Sequence, residues 1–236
     1  MKKEKKKKLK ILMAMILFAV IIALVQWLRG QILELEVSGN RVTENAAGQN
    51  IVIIDPGHGG SDSGKVGVNQ VLEKDINLVI AQRLKQLLEQ QKVEVQMTRE
   101  SGESIADSKM EDMCARVDMI NRSEANLAVS IHQNSYTAES VHGAQVFYHT
   151  SSKEGKEAAL ILQEALKQLD PGNTRQAKAD SSYYMLRKTE RPVVIVECGF
   201  LSNWEEAEKL ETEEYQIKIA EAVCSGIITY LNKQML

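Results

Sequence analysis

The sequence predicts an α/β fold: one domain with a twisted, mostly parallel sheet and helices on both faces, preceded by an N-terminal transmembrane helix. Three observations carry the prediction of the sheet. Residues 51–54, 127–131 and 193–196 are short runs that are apolar almost throughout, as strands covered on both faces must be. Longer stretches with apolar residues at helical spacing separate them, the order that yields parallel strands joined by crossover helices. Each run also leads into a polar residue, His58, His132 or Glu197, and ligands of such folds bind beyond the carboxyl ends of the strands.

The charge is split along the chain. Residues 1–28 hold seven lysines and one glutamate of the 29 basic and 32 acidic residues, which leaves 22 basic against 31 acidic residues downstream. An acidic body argues against nucleic acid as a partner. Residues 11–28 are apolar apart from Gln26, and at helical rise they span about 27 Å, close to a bilayer core of about 30 Å. Lysines in front of that segment hold the N-terminus in the cytoplasm and put the body on the extracytoplasmic side. A cleaved signal peptide is the alternative. Against it, Gln26-Trp27-Leu28-Arg29-Gly30 offers no small-x-small cleavage site, and Trp27 suits the membrane interface. The expected division is a basic tip and signal anchor at 1–30, a linker at 31–49 and the folded domain at 50–236. Cys114, Cys198 and Cys224 are too few and too far apart for a disulfide framework or a zinc ribbon. Cys198 and Cys224 fall in apolar patterns and read as core thiols.

The elements follow in order. Residues 51–54 form the first strand, and Asp55-Pro56-Gly57 ends it, because Pro56 lacks an N–H and Gly57 tolerates a sharp loop. Residues 61–71 are glycine-rich and irregular. Residues 73–91 form a helix with Ile76, Ile80, Leu84, Leu87 and Leu88 on one face. The alternation of Val93, Val95 and Met97 marks a strand, and residues 100–109 a polar surface excursion. Residues 110–123 form a helix with Met113, Val117 and Ile120 inward. Residues 127–131 and 143–149 are strands, with His142 and His149 read as loop and edge residues. Residues 153–169 form a helix stopped by Asp170-Pro171-Gly172. A polar loop at 173–182 precedes a short strand at 183–187. Pro192 opens the strand that ends at Glu197. Ser202 to Glu205 resembles a capping box, and Thr212 caps the last helix, whose core stripe is Tyr215, Ile219, Val223, Ile227 and Tyr230.

His58, Glu73 and His132 could form a metal site, since two imidazoles and a carboxylate leave a fourth position open on zinc. Their spacing is non-local, and a glutamate in the first turn of a helix is commonly just a partner for the helix dipole. Glu197 follows four apolar residues, and a carboxylate there is costly to desolvate unless it meets a cation or does chemistry. Beside a metal-activated water it suits a general base. The structural alternative is an ion pair with Arg116 or Arg187.

Four ordered stretches carry a family resemblance: Ile53-Ile-Asp-Pro-Gly-His-Gly-Gly60, Leu72-Glu-Lys-Asp75, Ser130-Ile-His-Gln-Asn134 and Val196-Glu-Cys-Gly-Phe-Leu-Ser-Asn203. They resemble the zinc-dependent N-acetylmuramoyl-L-alanine amidases of the Amidase_3 family, over residue 50 to the C-terminus. The resemblance implies that His58, Glu73 and His132 bind Zn²⁺, which sets aside the dipole reading of Glu73, and that Glu197 is catalytic. Cys198 and Gln133 depart from the residues common at those positions in the family, and neither is an implied ligand. The short anchor and the absence of wall-binding repeats are similar to the spore-cortex members, as are Glu111-Asp-Met-Cys-Ala-Arg-Val117 and Ile120-Asn-Arg-Ser-Glu-Ala125. Such enzymes strip the peptide from muramic acid ahead of muramic-δ-lactam formation. The partners this implies are peptidoglycan glycan strands with peptide stems, with an activating protein partner as a further candidate. The membrane is a partner through the N-terminal helix. Three rival functions share the frame: a general cell-wall amidase, a zinc carboxypeptidase gripping a terminal carboxylate with Arg116 or Arg187, and a non-catalytic wall-binding module.

Overall fold

A computed structural model of the chain describes residues 50–234. The signal anchor and linker expected at 1–49 lie outside the described residues. Among the described residues no helix is long and apolar enough to cross a membrane. The elements in order are β1 (Ile51–Pro56), α1 (Glu73–Gln90), β2 (Glu94–Met97), α2 (Lys109–Arg122), β3 (Leu127–Asn134) and β4 (Gln145–Tyr148). They continue with α3 (Lys153–Leu169), β5 (Lys178–Ala179), α4 (Tyr184–Lys188), β6 (Val193–Phe200), α5 (Trp204–Glu211) and α6 (Glu213–Gln234).

The strands form one sheet in the order β2-β1-β3-β6-β4-β5. The first four are mutually parallel, whereas β4 runs antiparallel to β6 and β5 parallel to β4. Successive side chains of a strand point to opposite faces, and both faces are covered. Val52, Ile54, Leu127, Val129 and Ile131 pack in one core with Ile80 and Leu84 of α1, Leu162 of α3 and Ile219 and Val223 of α6. Ile53, Ala128, Val193 and Ile195 pack in a second core with Ile120 of α2 and Met185 and Leu186 of α4. This double burial is why β1, β3 and β6 read as continuous apolar runs rather than as alternating ones.

Side-chain caps fix four helix starts: Ser108 accepts from Glu111 N, Ser152 from Gly155 N, Asn203 from Glu206 N and, as the sequence predicts, Thr212 from Tyr215 N. The cap expected at Ser202 thus stands one residue later and without the reciprocal half of a capping box, since Glu206 accepts from Gly143 N and Phe200 N instead. Asn203 caps α5, and Ser202 Oγ is occupied by the Tyr136 N–H at 2.9 Å. The strand expected at 183–187 is a helical turn instead, closed by Arg187 N donating to Tyr183 O at 3.1 Å and Thr189 N to Met185 O at 3.0 Å. Consecutive Met185 and Leu186 are both buried, which a strand packed on one face does not permit. Both edges of β6 are already taken by β3 and β4, so no partner remains for a strand there. The edge of β4 is taken by β5, two residues within the stretch that reads as polar loop.

The register decides the site. Pro56 pairs with Ile131, and His132 stands beside Glu197. His132 and Glu197 do not end their strands, as the apolar runs suggest; β3 continues to Asn134 and β6 to Phe200. β3 stands next to β1 and β6, so the three segments converge at one end of the sheet.

Candidate active site

The loop after β1 holds His58 in an unusual backbone conformation, φ 62°. Left-handed angles are uncommon for a residue with a Cβ and persist where the surroundings over-determine them. Here two arginines grip the loop's carbonyls. Arg116 donates to Pro56 O and His58 O, both at 2.6 Å. Arg99 donates to Pro56 O at 2.9 Å and Gly57 O at 3.0 Å, and Asn77 Nδ2 also donates to Gly57 O at 3.1 Å. Arg116 is only 2 % exposed, and its charge is met by Asp55 at 2.9 Å and Asp112 at 2.7 Å. Asp55 also accepts from Thr98 and Ser130, both at 2.6 Å. Burial works against both charges. Even so, Arg116 and these hydroxyls hold the Asp55 carboxyl below its usual range, and Asp55 and Asp112 raise the Arg116 guanidinium.

The loop, the start of α1 and β3 bring His58, Glu73 and His132 together. One ligand atom from each lies within 4.8 Å of the others. Glu73 Oε1 lies 2.9 Å from His132 Nδ1 and 3.2 Å from His58 Nε2, and the two rings meet edge to face at 5.0 Å. Glu73 is aimed by backbone N–H groups: Lys65 N donates to Oε2 at 2.7 Å and Gln133 N to Oε1 at 3.1 Å. On the far side of His58, Nδ1 lies 2.8 Å from Asp62 Oδ2, which orients the ring and leaves Nε2 facing the cluster. Glycines make the room. A Cβ on Gly57 would collide with Cε1, Nε2 and Nδ1 of the His132 ring, and one on Gly64, where φ is +65°, would lie 2.6 Å from Glu73 Oε2.

The electrostatics suit a cation. Burial opposes the Glu73 carboxylate, but both imidazoles depress its pKa far below the ordinary value. His132 is raised to about 9, with Glu73 overcoming the burial that disfavours its charged form. Two imidazole nitrogens and a carboxylate oxygen, poised around shared charge, match the donor set of a three-ligand zinc site with an open position.

Glu197 enters from β6 and is 6 % exposed. Its Oε1 lies 3.4 Å from the Tyr183 hydroxyl, and its Oε2 is buried with no hydrogen-bond partner. Burial above all, then the Glu73 carboxylate, raises its pKa to about 7, against the opposing influence of His132 and Tyr183. A carboxylate near neutrality with one free oxygen can take and return a proton. The alternative of an arginine partner does not hold. Arg116 is occupied by Asp55 and Asp112, and the Arg187 guanidinium lies 6.0 Å from the Tyr184 ring. Arg116 is therefore not disposed to grip a peptide carboxylate.

All four residues singled out in the sequence thus lie at one end of the sheet. Sequence reasoning missed Asp62, Arg99, Tyr183 and the spatial role of Gly57. Asp62 stands four residues after His58, and this proximity was the one local signal available. Arg99 stands in a stretch with no periodic or motif signal, and Tyr183 in one that reads as a short strand.

Comparison with known proteins agrees with this geometry. The Amidase_3 family model, described as N-acetylmuramoyl-L-alanine amidase, matches residues 52–229. The germination-specific N-acetylmuramoyl-L-alanine amidase of Bacillus subtilis (strain 168) is 38% identical over 192 residues, 78% of this chain and 81% of that protein. The N-acetylmuramoyl-L-alanine amidase AmiA of Escherichia coli (strain K12) is 28% identical over 237 residues, 80% of this chain and 78% of that one. Among solved structures, the CwlD amidase from Clostridioides difficile, in complex with the GerS lipoprotein, superposes with a TM-score of 0.76 at 37% identity. That match covers 78% of this chain and 100% of that one. With the family model spanning nearly the whole described domain and His58, Glu73, His132 and Glu197 gathered at one end of the sheet, the chain belongs to the Amidase_3 family of N-acetylmuramoyl-L-alanine amidases.

Proposed function

We propose that this amidase is a zinc enzyme that hydrolyses the amide between the lactyl group of N-acetylmuramic acid and L-alanine in peptidoglycan. His58, Glu73 and His132 are the metal ligands and Glu197 the general base. The observation that carries the reading is the pairing of the three-donor cluster with a buried carboxylate whose Oε2 has no partner. Zinc held by these donors supplies Lewis acidity that polarises the scissile carbonyl and acidifies water. Asp62 orients His58, and the N–H groups of Lys65 and Gln133 hold Glu73 in place. A cation at the cluster favours the ionised form of Glu197. Glu197 Oε2 then accepts the proton of the attacking water and delivers it to the leaving nitrogen of L-alanine.

The relatives support a reading of the role in the cell. A germination-specific relative and a CwlD structural neighbour support action in the spore cortex, and the resemblance to the spore-cortex members adds that removal of the stem peptide precedes muramic-δ-lactam formation. The CwlD amidase in complex with the GerS lipoprotein supports a protein partner for this chain too. The lysine-rich tip and the apolar segment at 11–28 support a membrane-anchored enzyme, with the domain from residue 50 onward on the extracytoplasmic side.

The test is digestion of purified peptidoglycan by the metal-stripped protein, with and without added zinc, followed by mass spectrometry. Zinc-dependent release of stems with a free L-alanine amine, and of glycan with an intact lactyl carboxylate, is expected. Release of D-alanine alone would overturn the reading. Spore peptidoglycan lacking muramic-δ-lactam in a deletion strain supports the cortex role, and an unchanged lactam content refutes it.

A further inference from the structure

The hydrogen bond at Glu197 Oε1 has no place yet in the chemistry. Glu197 sits inside β6 with one oxygen free and one facing a phenol. Among the described residues no cationic side chain hydrogen-bonds Glu197, so another group must keep its two oxygens distinct. The Tyr183 hydroxyl is the hydrogen-bond donor that meets its side chain, at 3.4 Å. Distances of this kind are often long in an enzyme without substrate and shorten in the working complex. The phenol is not free to wander. Its ring packs on Phe147 of β4 with centroids 5.4 Å apart. The backbone carbonyl of Tyr183 accepts from Arg187 N at 3.1 Å, which closes the turn of α4. Its side chain also lines the cleft that holds His58, His132 and Ser130. The helical turn at 184–188, in place of a strand, is what presents this hydroxyl to β6.

We propose that Tyr183 is a positioning residue for the general base: its hydroxyl donates to Glu197 Oε1 and so turns Oε2, the unpartnered oxygen, toward the attacking water. This rests on the reading of Glu197 as the base. The phenol neither gains nor loses a proton. It restricts the torsion of the carboxylate, so that proton acceptance falls to one oxygen in one orientation, and a base held in its productive orientation reacts faster than one that must find it. The effect belongs to the transition state and not to ground-state binding, so it should appear in kcat and leave KM alone.

The experiment compares wild type, Tyr183→Phe, Glu197→Gln and the double variant on a soluble muropeptide, with zinc content measured for each. Phenylalanine keeps the packing on Phe147 and removes only the donor. Losing a hydrogen bond to a charged group is expected to lower kcat about tenfold, with KM within about twofold of wild type and zinc content unchanged. In the Glu197→Gln background the same change should alter the rate by less than about twofold, because the group it orients no longer acts as a base. An equal loss in both backgrounds, a rise in KM with kcat preserved, a loss of zinc or an unchanged kcat would each overturn the proposal. Wild-type rates from Glu197→Gln itself would instead overturn the base assignment, an outcome distinct from all of these.

Discussion

Gly57→Ala tests the geometry of the site through a single methyl group. An ideal Cβ at Gly57 would overlap the His132 ring at Cε1 and Nε2 and lie 2.6 Å from Nδ1, where ordinary contact begins at 3.4 Å. The backbone cannot retreat, because Gly57 O accepts from Arg99 and Asn77 and Gly57 N donates to Ile131 O at 3.0 Å. The ring must therefore yield by about 1 Å, well beyond what close packing absorbs without loss of contacts. Such a shift breaks the 2.9 Å approach of Nδ1 to Glu73. Misorienting a ligand in this way typically costs about 10- to 100-fold in metal affinity, or about 1.4–2.7 kcal/mol. The assay is a zinc titration against a competing chromogenic chelator, with activity followed as zinc is raised. Excess zinc should restore part of the activity. Gly102→Ala is the control, since a Cβ there meets nothing within 4 Å, and it should bind zinc as wild type does. Wild-type zinc affinity in Gly57→Ala would refute the placement of His132 as a ligand.

Three further outcomes are expected. Glu197→Gln should keep its zinc and lose about 10²- to 10⁴-fold in rate, whereas Glu73→Ala and His132→Ala should lose the metal itself; metal analysis and rates together show whether the two glutamates have exchanged roles. Chelation should abolish activity while leaving the circular dichroism largely intact, because the two cores on either side of the sheet contain none of the cluster residues, and global unfolding on chelation would mean a structural metal. The depressed pKa of Asp55 makes stability acid-sensitive: its contribution is complete above the ordinary value of 3.8 and is lost as pH falls through the lower folded value. Asp55→Asn should therefore flatten the acid limb of a stability–pH curve. It should also cost about 1.5–3 kcal/mol at neutral pH, because the buried Arg116 loses one of its two carboxylates and keeps only Asp112, and denaturant unfolding of both proteins from pH 2 to 7 measures the two effects.

The sequence by itself determined the parts that depend on local pattern. The apolar runs predicted β1, β3 and β6, helical spacing predicted α1, α2, α3 and α6, and four short motifs picked out His58, Glu73, His132 and Glu197. Double burial and amphipathic packing leave a periodic trace in the chain, and a motif keeps its residues together. Only the tertiary structure decided what depends on neighbours distant in sequence. Residues 183–187 have the length and apolar content of a strand, yet both edges of the neighbouring β6 are taken by β3 and β4, and they close into a helical turn that brings Tyr183 to Glu197. Arg116 reads in the sequence as a partner for Glu197 or for a terminal carboxylate, until the fold sets Asp55, 61 residues away in sequence, against it. Gly57 reads as a flexible turn residue, whereas its missing side chain is the space filled by His132. Each of these rests on close approach between segments separated by tens of residues, and no local pattern records which side chain will arrive there.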